Sequence, residues 1–545
     1  MRMVVTNPWI VVALLALVAC SSSSGEDDAT APPPPAADPP AQPPAPNADA
    51  IPARFADVAA AAEAEMKAVG APGLAIAVIE HGEVTFAHGF GTKTPNKNDP
   101  VKATTLFRIG SCTKALTATA VLRLVADGKI TLDDPVVKSF PEFHFTKDAT
   151  WAPPITVKEL ITHTAGQVDN FIGDAATYDD SELQRYFSQT WPSVGYVMFP
   201  AGRMFDYANP NFEVAGVVVE RASGESYRQY MKDAVFGPIG MSRTIFTIDE
   251  IRADGDVADG LATTFSDSGT PMTVKKDSYD SPAERPAGFA LSSVEDMAKF
   301  AKFVVKGDDK VLPSALRTAM ESPQVDMGQV VGLDHYGFGV EVMDYLADGK
   351  GGFWKIRNVG HDGAIPGYSA EWRYVPDLDV GFVALSNADG AYYPKTFMSV
   401  LKTIGKLGAS DAPPNLAADP STFAALAGDY EDVGAGTITI GYDAGKLTIA
   451  IPAVEKQGAK VGPDLTPISP NNFEYTLGSE PDVVTFFYDA SGNPEYVRSR
   501  EYVGHRVQTS TAPTHVPLRP IDADALVARA RRNAPEVRRS LARLP

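Results

Sequence analysis

"GSCTKALTATAVLRLVADG", residues 110–128, decides how the chain is read. Ser111 stands three residues before Lys114, where an apolar stripe of Leu116, Ala120 and Leu124, with Val121 and Val125 beside it, predicts a helix over 111–126. Asp127-Gly128 stops it. The pair has two readings: an ordinary polar first turn, or a nucleophile and the base that activates it. Residues three apart share a helix face, so hydroxyl and amine can converge. A serine attacking a carbonyl must pass its proton to a neighbour, and a lysine can take it only when neutral, which burial promotes. The helix N-terminus also favours negative charge developing on Ser111. The spacing alone is cheap, since it recurs at Ser399–Lys402.

Upstream, "MRMVVTNPWIVVALLALVAC" has a weakly basic start and an apolar run from Ile10 to Ala19, too short to span a bilayer comfortably. Residues 1–19 read as a secretory signal. "LVAC" resembles the lipobox of bacterial lipoproteins, with Cys20 as the lipidated residue; an ordinary signal with a chance cysteine is the alternative. Residues 20–50 are then the lipidated cysteine and a proline-rich spacer that cannot bury enough apolar surface to fold. The expectation is an exported protein, lipid-anchored at the cell envelope. Ser21 in place of an aspartate suits outer-membrane sorting, facing the periplasm, if the host is Gram-negative.

The folded chain is expected from Ile51. "PARFADVAAAAEAEMKAV" reads as an amphipathic helix, and Leu74–Ile79 with Val84–Ala87 as a hairpin turning at His81-Gly82. Residues 129–300 carry mostly helical patterns and loops, and short strands return from about 337 to 387. Strands at both ends with helices inserted between them predict an α/β sandwich over 51–408, its antiparallel sheet flanked by helices and completed late in the chain. "GASDAPPNLAADP" (408–420) marks a boundary. Beyond it the pattern alternates, around Asp443-Ala444-Gly445 and around Ser491-Gly492-Asn493, and predicts a small antiparallel β-barrel over 420–512. The basic tail, 513–545, is Arg-rich and reads as a solvated surface helix interrupted by Pro535.

Bulk numbers exclude some function classes. A net charge of -20 over 545 residues argues against nucleic-acid binding. Two cysteines, Cys20 and Cys112, supply neither a disulfide framework nor a cysteine metal site. Cys112 reads as a small packing residue beside Ser111.

Two further motifs carry chemistry. In "FDYANPNFEVAG", Tyr207 is the one tyrosine of nineteen followed two residues later by asparagine, Asn209. Alone this would be a loop tyrosine with a turn-forming asparagine. In "GHDGAIPGYSAEW", His361-Asp362-Gly363 precedes a run of alternating strand residues, whereas the other His-x-Gly, His335-Tyr336-Gly337, does not.

In this order and context the three motifs resemble the serine β-lactamase / penicillin-binding-protein superfamily, and within it the class C β-lactamase-like serine hydrolases of D-aminopeptidase and esterase type. The resemblance covers about 55–405 and includes "GLAIAVIEHGEV", "ITVKELITHTAG" and "FVALSN". It implies Ser111 as acyl-forming nucleophile and Lys114 and Tyr207 as sharing base and acid roles, with the first proton acceptor left open. Asn209 would orient Lys114 and the substrate amide. His361, Asp362 and Gly363 would line the substrate cleft, and the backbone N–H groups of Ser111 and Ala364 would form an oxyanion hole. No metal or cofactor is implied. True β-lactamases read Lys-Thr-Gly where this chain has His-Asp-Gly; if Asp362 faces the cleft, it should repel a substrate carboxylate. The expected function is a serine hydrolase forming an acyl-enzyme on small esters or amides, including D-amino-acid peptides. The alternatives are a β-lactamase or DD-carboxypeptidase, and an inactive, surface-tethered binder of cell-wall peptides. The β-barrel resembles the lipocalin-like domains appended to such hydrolases, which cover the cleft, mediate oligomers or bind ligands.

Overall fold

The computed structural model describes residues 50–146, 154–169, 178–263, 270–328, 332–507 and 522–542. The signal, Cys20 and the spacer lie outside these. Helix α1 (Ala56–Ala68) leads into a hairpin of β1 (Gly73–Glu80) and β2 (Glu83–Gly91). Its turn uses the positive φ of His81 and Gly82. The predicted helix after it starts two residues late: Gly110–Cys112 forms a 3-10 turn, and helix α2 runs Thr113–Ala126. α2 is buried on nearly every side, so its apolar pattern reads as more than one stripe.

Later come α3 (Asn209–Ser223) and α4 (Val294–Lys306), then β3 (Val325–Asp326), β4 (Asp334–Tyr336) and β5 (Glu341–Met343). The long strands β6 (Asn358–Ile365), β7 (Tyr368–Val375) and β8 (Val380–Ser386) and helix α5 (Pro394–Thr403) complete this half. The sheet order is β2-β1-β8-β7-β6-β5-β4-β3, with every pairing antiparallel. β1 is apolar on both faces because both are covered. α2 and α4 pack on one face with Ala75, Ala77 and Trp372, while α1 and α5 pack on the other with Leu74, Ile76 and Phe382.

The antiparallel sheet flanked by helices is as expected, with two corrections. Sheet strands begin at Val325, ahead of 337, and the helical insertion holds short strands, Phe107–Arg108 paired with Leu291–Ser292 and Gly260–Ala262 with Met272–Val274. Strands of two or three residues are too short to show an alternation.

The second half is a closed barrel of β9 (Gly428–Asp432), β10 (Gly436–Asp443), β11 (Lys446–Ala450), β12 (Asp464–Ser469), β13 (Asn472–Leu477), β14 (Glu480–Tyr488), β15 (Pro494–Arg498) and β16 (Val503–Arg506). β9 pairs with β16 to close it, which removes both sheet edges. Inward residues such as Ile438, Ile449, Phe473 and Phe486 fill the interior. The barrel belongs to the same compact unit, Ile51–Pro545, as the sheet.

The tail is the third correction. Helix α6 (Ala523–Ala542) is continuous through Pro535, and Ala523, Leu526 and Ala530 are buried in the barrel's apolar cluster. It is docked, not solvated. No helix among the described residues is long and apolar enough to cross a membrane.

Candidate active site

Ser111 sits in the 3-10 turn that feeds α2, and fully buried Lys114 lies one turn on. Lys114 Nζ is 3.1 Å from Ser111 Oγ, 2.7 Å from Asn209 Oδ1 and 2.8 Å from the Ala287 carbonyl oxygen. An ammonium can donate to all three. A neutral amine can donate to Asn209 and Ala287 and keep its lone pair for the Ser111 hydroxyl proton. The same geometry therefore serves either protonation state. The other Ser-x-x-Lys, Ser399–Lys402, lies on α5, across the sheet from Ser111.

Two glycines let the nucleophile turn meet β6. Gly110 has φ +49°, and a Cβ there would lie 2.7 Å from the Ala364 nitrogen. A Cβ on Gly363 would lie 2.0 Å from the Ile109 carbonyl oxygen and 3.1 Å from the Ser111 nitrogen. Side chains at either position would force apart the two backbones that carry the Ser111 and Ala364 amides. Pairing of β6 with β5 covers only Asn358–Gly360, so the strand's outer edge is released from His361 onward.

Tyr207 is half-buried, its ring stacked on His163 at 4.2 Å between centroids. Lys114 Nζ lies 4.8 Å from that ring's centroid. Arg500 of the barrel covers it as well, with the guanidinium carbon 4.2 Å from the centroid. His163 is fully buried, and its Nδ1 accepts from the Ala208 N–H at 3.2 Å, so its proton is on Nε2. Burial, reinforced by Lys114, holds its pKa well below the usual imidazole value.

His361 lies in the cleft with both nitrogens satisfied. Nδ1 donates to the Asp362 carbonyl oxygen at 2.6 Å, and Nε2 accepts from the Tyr336 hydroxyl at 2.9 Å. Burial lowers its pKa, so the imidazole is neutral. The discarded tripeptide His335-Tyr336-Gly337 thus supplies the side chain that orients this one.

Asp362 lines the cleft with His361 and Gly363, but its carboxylate is paired. Strand alternation turns its side chain to the sheet face opposite His361 and Gly363. There its buried carboxylate pairs with Arg373 at 2.6 Å, and Arg373 also holds Glu341 at 2.7 Å. This pairing offsets the repulsion expected of Asp362 in the cleft. Cys112 is buried against this strand, its thiol donating to the His361 carbonyl oxygen at 3.3 Å.

Further side chains complete the cleft. The cleft, about 240 Å³, is lined by Ser111, Tyr207 and Glu213 together with Arg500, Arg529 and Arg532. Glu213 is fully buried with neither carboxyl oxygen hydrogen-bonded, and burial with Glu284 nearby holds its pKa well above the usual range. A signal for it existed: in α3, Glu213, Val217 and Glu220 recur at helical spacing, which puts a charge on a core stripe. Among the described residues, no group of three or more His, Cys, Asp or Glu side chains is arranged to hold a metal ion.

A family model described as Beta-lactamase matches residues 58–403. Protein flp of Staphylococcus aureus (strain MW2) is 25% identical over 330 residues, covering 59% of this chain and 61% of that protein. Unguisins hydrolase ungD' of Aspergillus campestris is 28% identical over 331 residues, 59% of each. The chain thus spans about three fifths of the length of the curated relatives it matches. Among solved structures, the octameric penicillin-binding protein homologue from Pyrococcus abyssi superposes with TM-score 0.56 at 22% identity, over 82% of this chain and 98% of that one. SurE superposes with TM-score 0.61 at 23% identity, over 84% and 99%. At such identities these two report the fold.

Proposed function

The chain belongs to the Beta-lactamase family, and from that premise we propose that it is a serine hydrolase that cleaves small esters or amides, D-amino-acid peptides among them, through an acyl-enzyme on Ser111. The contact that carries this reading is Lys114 Nζ at 3.1 Å from Ser111 Oγ, with Asn209 and Ala287 holding the amine. Ser111 Oγ attacks the carbonyl carbon while its proton passes to the Lys114–Tyr207 pair. The amides of Ser111 and Ala364 stabilise the negative oxygen, and collapse expels the alcohol or amine, which takes the proton back. Water repeats the sequence on the ester and frees Ser111. A hydrolase among the relatives and a solved SurE complex with D-Leu suit a peptide substrate.

Hydrolysis of a short-chain p-nitrophenyl ester, compared with Ser111→Ala, tests the reading. Turnover that disappears with the hydroxyl, and labelling of Ser111 by a fluorophosphonate, are expected. No labelling and no turnover of esters or peptides would leave the inactive cell-wall-peptide binder.

One observation favours a second substrate class. With Asp362 paired to Arg373, its charge is offset, and β-lactam or DD-carboxypeptidase turnover stays compatible with the cleft. A chromogenic cephalosporin separates this from the esterase reading. Export and lipidation at Cys20 complete the proposal; labelled palmitate should be incorporated by the wild type and not by Cys20→Ala.

A further inference from the structure

Asn209 touches Lys114 with one end of its amide, and something must fix which end. Asp169, forty residues away, does so. Its Oδ1 accepts from the Asn209 side-chain Nδ2 at 3.1 Å and from the Asn209 backbone N–H at 2.8 Å. A carboxylate can only accept, so the amide NH2 group must face Asp169 and the amide oxygen must face Lys114. Helix α3 begins here with Ala208 as N-cap and no capping side chain of its own, and Asp169 takes that place from outside.

Asp169 is itself held by the far end of the chain. Its Oδ2 lies 3.4 Å from an Arg500 nitrogen, in the connection between β15 and β16. Its carbonyl oxygen accepts from Arg529 of α6 at 3.2 Å. Arg529 is locked in turn by Glu501 at 3.3 Å, and Asn533, one turn along α6, donates to the same carboxylate at 2.6 Å. A continuous run of polar contacts leads from the tail helix through Asp169 and Asn209 to Lys114 and Ser111.

We propose that Asp169 is the positioning residue of this site, and that the barrel and the tail helix hold it in place through Arg500 and Arg529. The inference rests on Ser111 and Lys114 acting as described under Proposed function. Without the carboxylate, the Asn209 amide is free to turn over and set its NH2 group against the Lys114 amine, which then loses its acceptor and its aim at Ser111.

The test uses the full chain and the p-nitrophenyl ester, with active sites counted by fluorophosphonate labelling so that rates are per competent site. Asp169→Ala should lower kcat by roughly tenfold to a hundredfold with KM changed less than about threefold, as for loss of a charge-assisted hydrogen bond acting after binding. Asp169→Asn, nearly the same shape and still able to accept, should fall between it and the wild type. Arg529→Met, which touches neither Ser111 nor Tyr207, should lower kcat several-fold, whatever the loss of its charge from the cleft does to KM. The proposal is overturned if kcat per labelled site stays within about twofold of wild type in both Asp169 variants, or if KM alone moves. If Asp169→Ala does not fold, the isosteric variant decides. A wild type that neither turns over nor labels would instead sink the reading of Ser111.

Discussion

Gly363 carries the tightest constraint in the site. A methyl group there would sit 2.0 Å from the Ile109 carbonyl oxygen, against backbone that cannot swing aside. Gly363→Ala should therefore cost about 1–3 kcal/mol in stability through overpacking, read by thermal melting, and should lower kcat as the nucleophile turn is pushed off β6. Cys112 offers a contrasting test. Burial and the nearby Asp362 carboxylate push its thiol pKa up, so it should resist iodoacetamide in the native protein at pH 8 and react once unfolded. Peptide mapping reads this directly. At this scale the legible residues were those with local spacing: Ser111 with Lys114, Tyr207 with Asn209, His361 with Gly363. Asp169 and Tyr336 reach the cleft, and His163 the back of the Tyr207 ring, from scattered loops and strands, and no local spacing marks where the fold carries them.

Among the elements, α1 and α5 show how a distant side chain can cap a helix. Glu65 of α1 is buried and accepts from the first-turn N–H groups of Lys395 and Thr396, at 3.1 and 2.9 Å, and from the Thr396 hydroxyl at 2.8 Å. Glu65→Leu should destabilise the protein by about 1–3 kcal/mol, because two buried donors and one part-buried donor lose their acceptor together. Denaturant unfolding measures the loss. The tail helix went unread for a related reason. Its inner face is Ala523, Leu526, Ala530 and Ala534, a stripe made mostly of alanine that Arg529, Arg531 and Arg532 obscure in any hydrophobicity pattern. Small residues nonetheless permit close approach, and Leu526 is completely buried. Leu526→Ala should cost about 2–5 kcal/mol of docking and stability.

For the molecule as a whole, buried titratable groups set opposing slopes of stability with pH. His163 and His361 are held below the ordinary 6.5, so their contribution is present above that pH and is lost as pH falls through their lowered values. Asp206 runs the other way: burial raises its pKa from 3.8 to about 8 against the pull of Arg498 and Arg500, so its contribution declines across that window as pH rises. Replacing it with asparagine should give melting temperatures that gain on the wild type between pH 5 and 8 and run parallel above. The general architecture was legible because long strands and the change of period after residue 420 are strong patterns. What escaped was the tail's inward face, since no local pattern reports which distant surface a helix will meet. The sheet order has one more consequence, for synthesis. β1 pairs with β8, so Leu74 meets Ser386 only after about three hundred further residues have been made, roughly 15–60 s at ribosomal rates. Through that interval the β1–β2 hairpin has an apolar strand with one open edge and no sheet to join. The growing chain would then need a holdase at its N-terminal end, and a ribosome stalled before Val380 would release a species built to aggregate.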